Sequence, residues 1–306
     1  MKGMLRSIFQ TEAWSHFKEQ FGWRTHKVAG FAGMERVIGF GKSMLYFPEL
    51  PLNADSLAMI RQSKQSELVA GRIFTRFEFL NVWTPENAKD LVELGLVKSF
   101  EDVQPDYRQW VLLDKSEDDL LKEMKPKGRY NIKIAERHNL QVDWGTDDQK
   151  IESLTRLYQE TARRTGFAGR GADYFQKLMT AIRAEKLGEI VTVSHEGEVL
   201  AAALVTFYGN VASYLYGGSG GDRSLMAPYL MHWAAIKRAK QEGCAVYDLL
   251  AIAPPEKENH VHAGLTRFKT QFGGESVRML GSWDLVHSRF WYTMYRYAQK
   301  RRRRAL

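Results

Sequence analysis

The sequence predicts a mixed fold, α/β in the broad sense with α+β character and mixed sheets, divided between two domains. Three observations carry this. Short runs rich in β-branched and aromatic residues alternate with helical stretches along the whole chain. The chain has 306 residues, and at roughly 100–200 residues per domain that is two domains or one large one. Near residue 105 the segment Gln104-Pro105-Asp106 marks a turn, because proline and its neighbours disfavour continuing a helix or strand. A hydrophobic content of 44% with 26% charged residues is ordinary globular composition and excludes disorder and collagen-like repetition.

The first third predicts strands at Thr25–Phe31, Arg36–Phe40, Met44–Phe47 and Arg72–Phe79, interrupted by helices at Ala54–Glu67 and Glu86–Leu94. After the junction a strand, Gln109–Leu113, opens a second mixed unit. Ser116 caps a helix running to Met124, with Glu117, Asp118 and Asp119 in its first turn where the helix dipole favours acids. Pro126 ends that helix and lets a basic one, Gly128–Asn139, begin. Helices follow at Asp147–Arg164 and Ala172–Glu185. Three strands come next, Glu189–His195, Val199–Tyr208 and Val211–Tyr216, joined by the tight turns Glu196-Gly197 and Gly209-Asn210. A helix at Leu225–Glu242 accepts Pro228 in its first turn, where a missing N–H is harmless. Strand Val246–Leu250, helix His262–Phe272 and strand Val277–Leu280 finish the unit. This order of helices, antiparallel strands, helix, strand, helix and strand is that of a GNAT-type N-acyltransferase. Fold alone does not specify a reaction. No repeat of 20–50 residues is visible, so any duplication between the halves is structural.

The formal charge is +8, from 44 Lys+Arg against 36 Asp+Glu, and it is concentrated. From Leu285 onward there are seven basic residues (Arg289, Arg296, Lys300, Arg301, Arg302, Arg303 and Arg304) and no acid, which leaves the rest of the chain nearly neutral. Lys125, Lys127, Arg129 and Lys133 form a second, weaker cluster. Either cluster suits phosphate, from nucleic acid or anionic lipid, and a solvated helix face accounts for each equally well. Phe290, Trp291, Met294, Tyr295 and Ala298 recur at helical spacing beside the basic tail. Such a stripe reads as an interfacial membrane helix, or as a last helix docked on a core, and the second reading weighs more. No aliphatic run approaches the roughly 18 residues of a membrane span. Gln10, Thr11 and Glu12 interrupt any signal-peptide core. A lone Cys244 permits no internal disulfide. These features predict a cytoplasmic protein.

Several segments are candidates for chemistry. Gly217-Gly218-Ser219-Gly220-Gly221 joins a strand to a helix and could present N–H groups to an anion, although a plain connection explains the glycines better. Tyr214 and Tyr216, two apart on a strand, are expected to face one side. Arg170 and Tyr174 lie about one turn apart, a fork and a hydroxyl for phosphate. In Gly264-Leu265-Thr266-Arg267-Phe268-Lys269-Thr270-Gln271-Phe272-Gly273-Gly274, the side chains of Leu265, Phe268 and Phe272 form an apolar helical face with Gly273 as its cap. Lys269 beside it reads as a snorkelling lysine. His260 and His262 have no third ligand in view, so no metal is expected. Cys244 reads as a packed thiol.

The second unit resembles the FemABX peptidyltransferases, which add amino acids from aminoacyl-tRNA to the peptide of peptidoglycan precursors. The likeness runs from about Lys125 to Gly281. It rests on Arg129-Tyr130-Asn131-Ile132-Lys133-Ile134-Ala135, Tyr214-Leu215-Tyr216-Gly217, Ala239-Lys240-Gln241-Glu242-Gly243, Tyr247-Asp248-Leu249, and most specifically Gly264-Leu265 through Phe268-Lys269 to Phe272-Gly273-Gly274. The resemblance implies two tandem GNAT-like acyltransferase domains, 1–108 with 282–306 and 109–281, without the charged helical arm of some relatives. It places the family's Phe-Lys pair on Phe268 and Lys269, its Tyr-x-Tyr-Gly strand on Tyr214 and Tyr216, and its phosphate-binding Arg and Tyr on Arg170 and Tyr174. A Trp and a Lys near the start correspond to Trp14 and Lys18. Thr266 stands where an aromatic residue is common and Ala251 where a glycine is, departures that bear on donor or acceptor identity more than on the reaction.

The implied chemistry is attack of a stem-peptide amine on the ester that joins an amino acid to tRNA. The ester is already activated, so no cofactor or metal is implied. Lys269 would stabilise developing negative charge, with Asp248 or the substrate as proton acceptor. Lys125, Lys127, Arg129 and Lys133 would take tRNA phosphates. The precursor is UDP-linked or lipid-linked. Lys300, Arg301, Arg302, Arg303 and Arg304 would meet tRNA, or the anionic inner face of the plasma membrane as a peripheral contact. Two other readings stand beside this one. A CoA-dependent GNAT N-acyltransferase lacks its Gln/Arg-x-x-Gly-x-Gly/Ala pyrophosphate loop here, and a non-catalytic tRNA- or membrane-binding protein would have no use for Phe268-Lys269.

Overall fold

The computed structural model describes residues 5–63, 71–257, 260 and 262–304, with side chains up to residue 301. Positions 64–67 of the expected helix Ala54–Glu67 and the side chains of Arg302, Arg303 and Arg304 lie outside the described residues. The chain divides into two compact units, Leu5–Asp106 with Arg278–Leu306, and Tyr107–Val277.

The first unit begins with α1 (Glu12–Glu19), β1 (Arg24–Val28), β2 (Phe31–Gly39), β3 (Lys42–Leu50), α2 (Ala54–Ser63), β4 (Arg72–Val82), α3 (Pro85–Glu93) and the two-residue β5 (Val97–Lys98). Helix α1, which periodicity does not reveal, is started by Thr11, whose hydroxyl accepts the Trp14 N–H. The expected strand Thr25–Phe31 is in fact the end of β1, a turn and the start of β2. Ala29 and Gly30 both have positive φ (49° and 84°), so the chain reverses there in a two-residue hairpin.

The second unit contains β6 (Tyr107–Leu112), α4 (Glu117–Glu123), α5 (Pro126–Arg137), β7 (Gln141–Gly145), α6 (Asp148–Thr165), α7 (Ala172–Ala184), β8 (Gly188–His195), β9 (Glu198–Tyr208), β10 (Val211–Ser219), α8 (Ala227–Gln241), β11 (Val246–Ala251) and α9 (Ala263–Lys269). Ser116 caps α4 by accepting the Asp119 N–H, and Gly166 (φ 79°) closes α6 in the left-handed conformation. Strand β7 has no counterpart among the expected elements; as an edge strand it carries little apolar alternation. Helix α9 stops at Lys269 and tightens into a 3-10 turn, Thr270–Phe272, where the sequence pattern suggests one continuous helix. From there β12 (Glu275–Val286) leads to α10 (Arg289–Arg304).

In the first unit β1, β2, β3, β4 and β12 lie side by side in that order, with β5 paired to β12. In the second the order is β6-β11-β10-β9-β8-β7. Both sheets are antiparallel except for one parallel pair each, β3 with β4 and β10 with β11. Three antiparallel strands, a helix and a parallel strand therefore occur twice, as β1-β2-β3-α2-β4 and β8-β9-β10-α8-β11. In the second unit Val191, Val193, Ala201, Ala203 and Val205 share a core with residues of α5 and α8, and α6 and α7 pack on the opposite face of the sheet.

The two parallel pairs differ. β3 and β4 stay paired from Ser43–Arg72 to Leu50–Phe79, through two register shifts. β10 and β11 pair only from Val211–Val246 to Ser213–Asp248 and then part. Bulges lie just beyond, between Tyr214 and Tyr216 on β10 and between Asp248 and Ala251 on β11, where they bend the strands.

Candidate active site

The split between β10 and β11 is where the sequence's strongest candidate arrives. Lys269, the last residue of α9, is 3% exposed. Its ammonium donates to the carbonyl oxygen of Ala251 on β11 at 2.8 Å and lies 5.7 Å from the ring centroid of Tyr214 on β10. The expectation of a snorkelling lysine is thus corrected. The ammonium points into the sheet, because α9 ends against the bulged end of β11. Burial pushes its pKa down to about 7, opposed by the nearby Asp248 carboxylate and assisted by the Arg108 guanidinium.

Asp248 does not present a free carboxylate. One oxygen accepts from Arg108 at 2.9 Å in a buried ion pair, and the other accepts the Leu250 N–H at 2.7 Å. Leu250 has φ 56°, a left-handed conformation costly for a branched residue. The Asp248 carboxylate holds that kink and with it the Ala251 carbonyl under Lys269. The left-handed position of this segment is thus Leu250 rather than Ala251. Thr266 also positions backbone. Its hydroxyl donates to the His262 carbonyl and accepts the Ala253 N–H, tying the chain after β11 to α9.

Phe268 faces the apolar side, its ring 5.2 Å from Tyr229, 5.4 Å from His232 and 5.3 Å from Phe272. Leu265, expected on the same face, is exposed. His232 is buried, and its Nδ1 is 2.9 Å from the Tyr247 hydroxyl. Desolvation, with Lys269 adding to it, holds its pKa down to about 3, so the imidazole stays neutral.

Tyr214 and Tyr216 do not face one side. The bulge at Leu215 adds a residue between them and reverses the alternation. Tyr214 packs on His232, centroid to centroid 4.7 Å, with its ring folded over Gly217. Tyr216 points to the α6–α7 face, where its hydroxyl is 2.7 Å from that of Tyr174 and its ring meets Tyr158 and Phe175 edge-on. Burial raises the pKa of Tyr214, Tyr216 and Tyr174, so all three are neutral phenols. Arg170 lies just before α7 and is exposed, its guanidinium 4.9 Å from the Tyr174 ring centroid. The structure therefore brings Arg170, Tyr174 and Tyr216 together on one face, and Tyr214, Phe268 and Lys269 on the other. The glycines after Tyr216 serve packing: a Cβ on Gly218 would lie 2.2 Å from the Leu157 carbonyl oxygen, because β10 runs against the α6 backbone.

A family model described as the FemAB family matches residues 94–187 and 181–300, more than half of the chain. The chain belongs to the FemAB family. Among curated relatives, this FemAB chain is 23% identical over 270 residues to the lipid II:glycine glycyltransferase of Staphylococcus epidermidis, covering 66% of its own length. It is 26% identical over 161 residues to the UDP-N-acetylmuramoylpentapeptide-lysine N(6)-alanyltransferase of Weissella viridescens, covering 52% of its length. The matches span 65% and 46% of those relatives, less than two thirds of either. The crystal structure of FemX superposes over 94% of both chains with a TM-score of 0.85 at 17% identity, so the two share a fold.

Elsewhere in the FemAB chain, Trp14 is a packing residue of α1, its ring between Phe9 (4.6 Å) and Phe17 (5.2 Å). Lys18 sits over Trp23 at 5.0 Å. Both lie in the first unit, while the residues around Lys269 lie in the second. Of the basic cluster on α5, Lys125 donates to Thr270, next to Lys269, at 3.0 Å, and its N–H to the Gln271 carbonyl. Arg129 caps carbonyls of Lys122 and Met124 at the end of α4. Lys127 and Lys133 are exposed, and six residues apart they lie on different sides of the helix. Among the described residues no three His, Cys, Asp or Glu side chains come together as a metal site would need, and no helix is long and apolar enough to cross a membrane. Sequence reasoning does not single out Arg108, His232 or either bulge. An arginine in a six-residue apolar strand (Tyr107–Leu112) and a histidine on the buried face of α8 are the available signals.

Proposed function

We propose that this chain moves an amino acid from aminoacyl-tRNA to an amine of a peptidoglycan-precursor stem peptide. The observation that carries the reading is the buried Lys269 ammonium in the split of β10 and β11. A cation held there without solvent meets developing negative charge with little reorganisation, and a pKa near neutrality suits a proton donor. The acceptor amine attacks the ester carbonyl, the C–N bond forms, and the C–O bond to the ribose breaks. Lys269 donates its proton to the leaving ribose oxygen and is recharged by the proton that the amine loses. Asp248 acts here as a positioning residue, through the Leu250 kink and its charge.

Arg170, Tyr174 and Tyr216 supply the cation and hydroxyls that a precursor diphosphate needs on the α6–α7 face. The donor ester approaches from the α8–α9 face, where Lys125 and Lys127 begin α5 next to the Lys269 segment and suit tRNA phosphates. Tandem GNAT-like domains, a UDP-linked or lipid-linked acceptor, and contact of the Lys300–Arg304 run with an anionic membrane complete the reading. The names of the relatives support the acceptor class. The test incubates the purified chain with radiolabelled aminoacyl-tRNAs and both precursor forms, with Lys269→Met alongside. Label on the precursor peptide, strongly reduced in the variant, supports the assignment; no transfer with any pair removes it.

A further inference from the structure

The hairpin joining β2 to β3 turns on two residues, Phe40 and Gly41, with Gly39 and Lys42 paired across it. Both turn residues have positive φ, 50° and 65°, the type I′ pattern that favours Asn or Gly at its first position. A phenylalanine there is strained, and Phe40 is also 87% exposed. Folding gains little from a side chain so exposed, and strain of this kind clusters at functional segments. Val37, three residues earlier, is likewise exposed.

Helix α10 divides its aromatic residues between two faces. Tyr292 and Tyr295 dock on the unit: Tyr292 donates to Asp284 at 2.7 Å, Tyr295 to Glu101 at 3.0 Å, and both rings meet Phe74. Phe290, Met294 and Tyr297, spaced four and three apart, form a second stripe that remains exposed, Phe290 at 68%. Trp291 joins the two features, its ring 5.6 Å from Phe40 and 5.4 Å from Phe290. The hairpin tip from Arg36 to Met44 and all of α10 contain no acid. Arg36, Arg289, Arg296, Lys300 and Arg301 on these two elements are exposed. Arg301 lies over the Tyr297 ring of the stripe, while Arg36 lies over Trp23 and Arg296 over Phe100 and Tyr292.

We propose that the Phe40-Gly41 turn and the Phe290–Met294–Tyr297 stripe form one docking surface for an anionic phospholipid bilayer. Apolar side chains enter the acyl boundary while the Arg and Lys side chains of the same two elements meet lipid phosphates. Charge complementarity selects this occupant over an apolar protein face, which would bury these cations unpaired. The inference deepens the membrane contact of the proposed function and rests on that reading for its purpose alone, since the surface is defined without the transferase site.

The test uses the full chain with vesicles of phosphatidylglycerol and phosphatidylcholine, and of phosphatidylcholine alone, read by co-sedimentation and by tryptophan quenching from brominated acyl chains. Binding is expected to the anionic vesicles, with quenching that disappears in Trp291→Phe. Phe40→Asn suits the turn, so it should fold at least as well as the parent, yet lose about tenfold in partitioning, as should Phe290→Ser. Adding salt should weaken what remains in both. Parental binding to neither vesicle, unchanged binding in Phe40→Asn with Phe290→Ser, or protection of Trp291 by tRNA in place of vesicles would each overturn the proposal. Transfer to a nucleotide-linked precursor in solution is measured in parallel. Its absence in a chain that still docks on vesicles would sink the transferase reading and leave this one standing.

Discussion

The ammonium of Lys269 donates to the carbonyl of Ala251 across 2.8 Å, at the point where β10 and β11 have already parted. A lysine from outside the sheet thus occupies a gap that the corresponding parallel pair of the first unit, β3 with β4, does not open. Replacing it tests the proposed chemistry directly. Lys269→Met keeps the buried stem and removes the charge, so the chain should fold while kcat falls on the order of 10²–10³-fold, the usual cost of losing such a donor. Single-turnover transfer rates at saturating donor read this, and a variant within twofold of the parent would remove Lys269 from the chemistry.

The lowered pKa of the same lysine makes two opposite statements about pH. As a proton donor it works when charged, so the rate from the bound complex should fall as pH rises through about 7. For stability the sign reverses. Between about 7 and the ordinary 10.5 the unfolded chain holds a proton that the folded chain has released, so stability rises with pH over that window. The burial penalty is fully present below about 7. Lys269→Met lacks it and should be the more stable protein at pH 6, by up to about 5 kcal/mol, with the gap narrowing towards pH 9.5. Denaturant unfolding of both chains across that range measures it, and a gap independent of pH would show that the lysine is not desolvated.

Asp248 connects the kink to the charge. Asp248→Asn keeps the shape but removes the carboxylate that opposes the downward shift at Lys269, so the rate should begin to fall at lower pH than in the parent. It also breaks the buried ion pair with Arg108, a loss of about 3–5 kcal/mol. The acid shift of the rate profile is the deciding readout, because a merely structural role would lower stability and leave the profile in place.

Arg170, Tyr174 and Tyr216 meet on the other face, and the expected signature there is binding. Arg170→Ala should raise KM for the acceptor roughly 10–100-fold with kcat little changed, the range for a hydrogen bond to a charged group. Tyr216→Phe, which loses only the hydroxyl contact with Tyr174, should cost about two- to tenfold. Effects confined to kcat would move these residues into the chemistry and out of precursor binding.

The fold class and the family are legible because they rest on periodicity and on a dense local motif, Gly264–Gly274. The helix cap at Ser116 follows from residue type alone. The site's shape is not legible. Counting two residues from Tyr214 to Tyr216 gives one face, and only the bulge at Leu215 makes it two. A bulge is a property of strand pairing, so no single strand's sequence announces it. Likewise Lys269 at the end of an amphipathic helix looks like a solvent-seeking lysine until the Leu250 kink supplies a carbonyl for it. The Ala29-Gly30 turn escapes for another reason: alanine rarely adopts positive φ, and it hides a hairpin inside an apparent strand.

Gly274, at the end of the motif, separates the geometric part of the family pattern from its chemical part. Its φ is 72°, and a Cβ there would lie 1.9 Å from the carbonyl oxygen of Trp110 on β6, so both conformation and space exclude a side chain. Gly128 on α5 makes the complementary approach, where a Cβ would lie 2.5 Å from the Gln271 carbonyl oxygen. Together they clamp the 3-10 turn after Lys269 between a helix and a strand backbone, neither of which can yield as a flexible side chain would. Gly274→Ala should therefore destabilise the chain by about 2–4 kcal/mol through strain and overpacking. Whatever remains folded should transfer more slowly, because the turn fixes where α9 delivers its lysine. Gly264→Ala, in the first turn of the same motif with open space around its Cβ position, should change stability by less than about 1 kcal/mol. Thermal unfolding of the two variants beside the parent reads the contrast. Equal melting temperatures would mean that the β6 backbone gives way, and that the double glycine is not what holds Lys269 in the split.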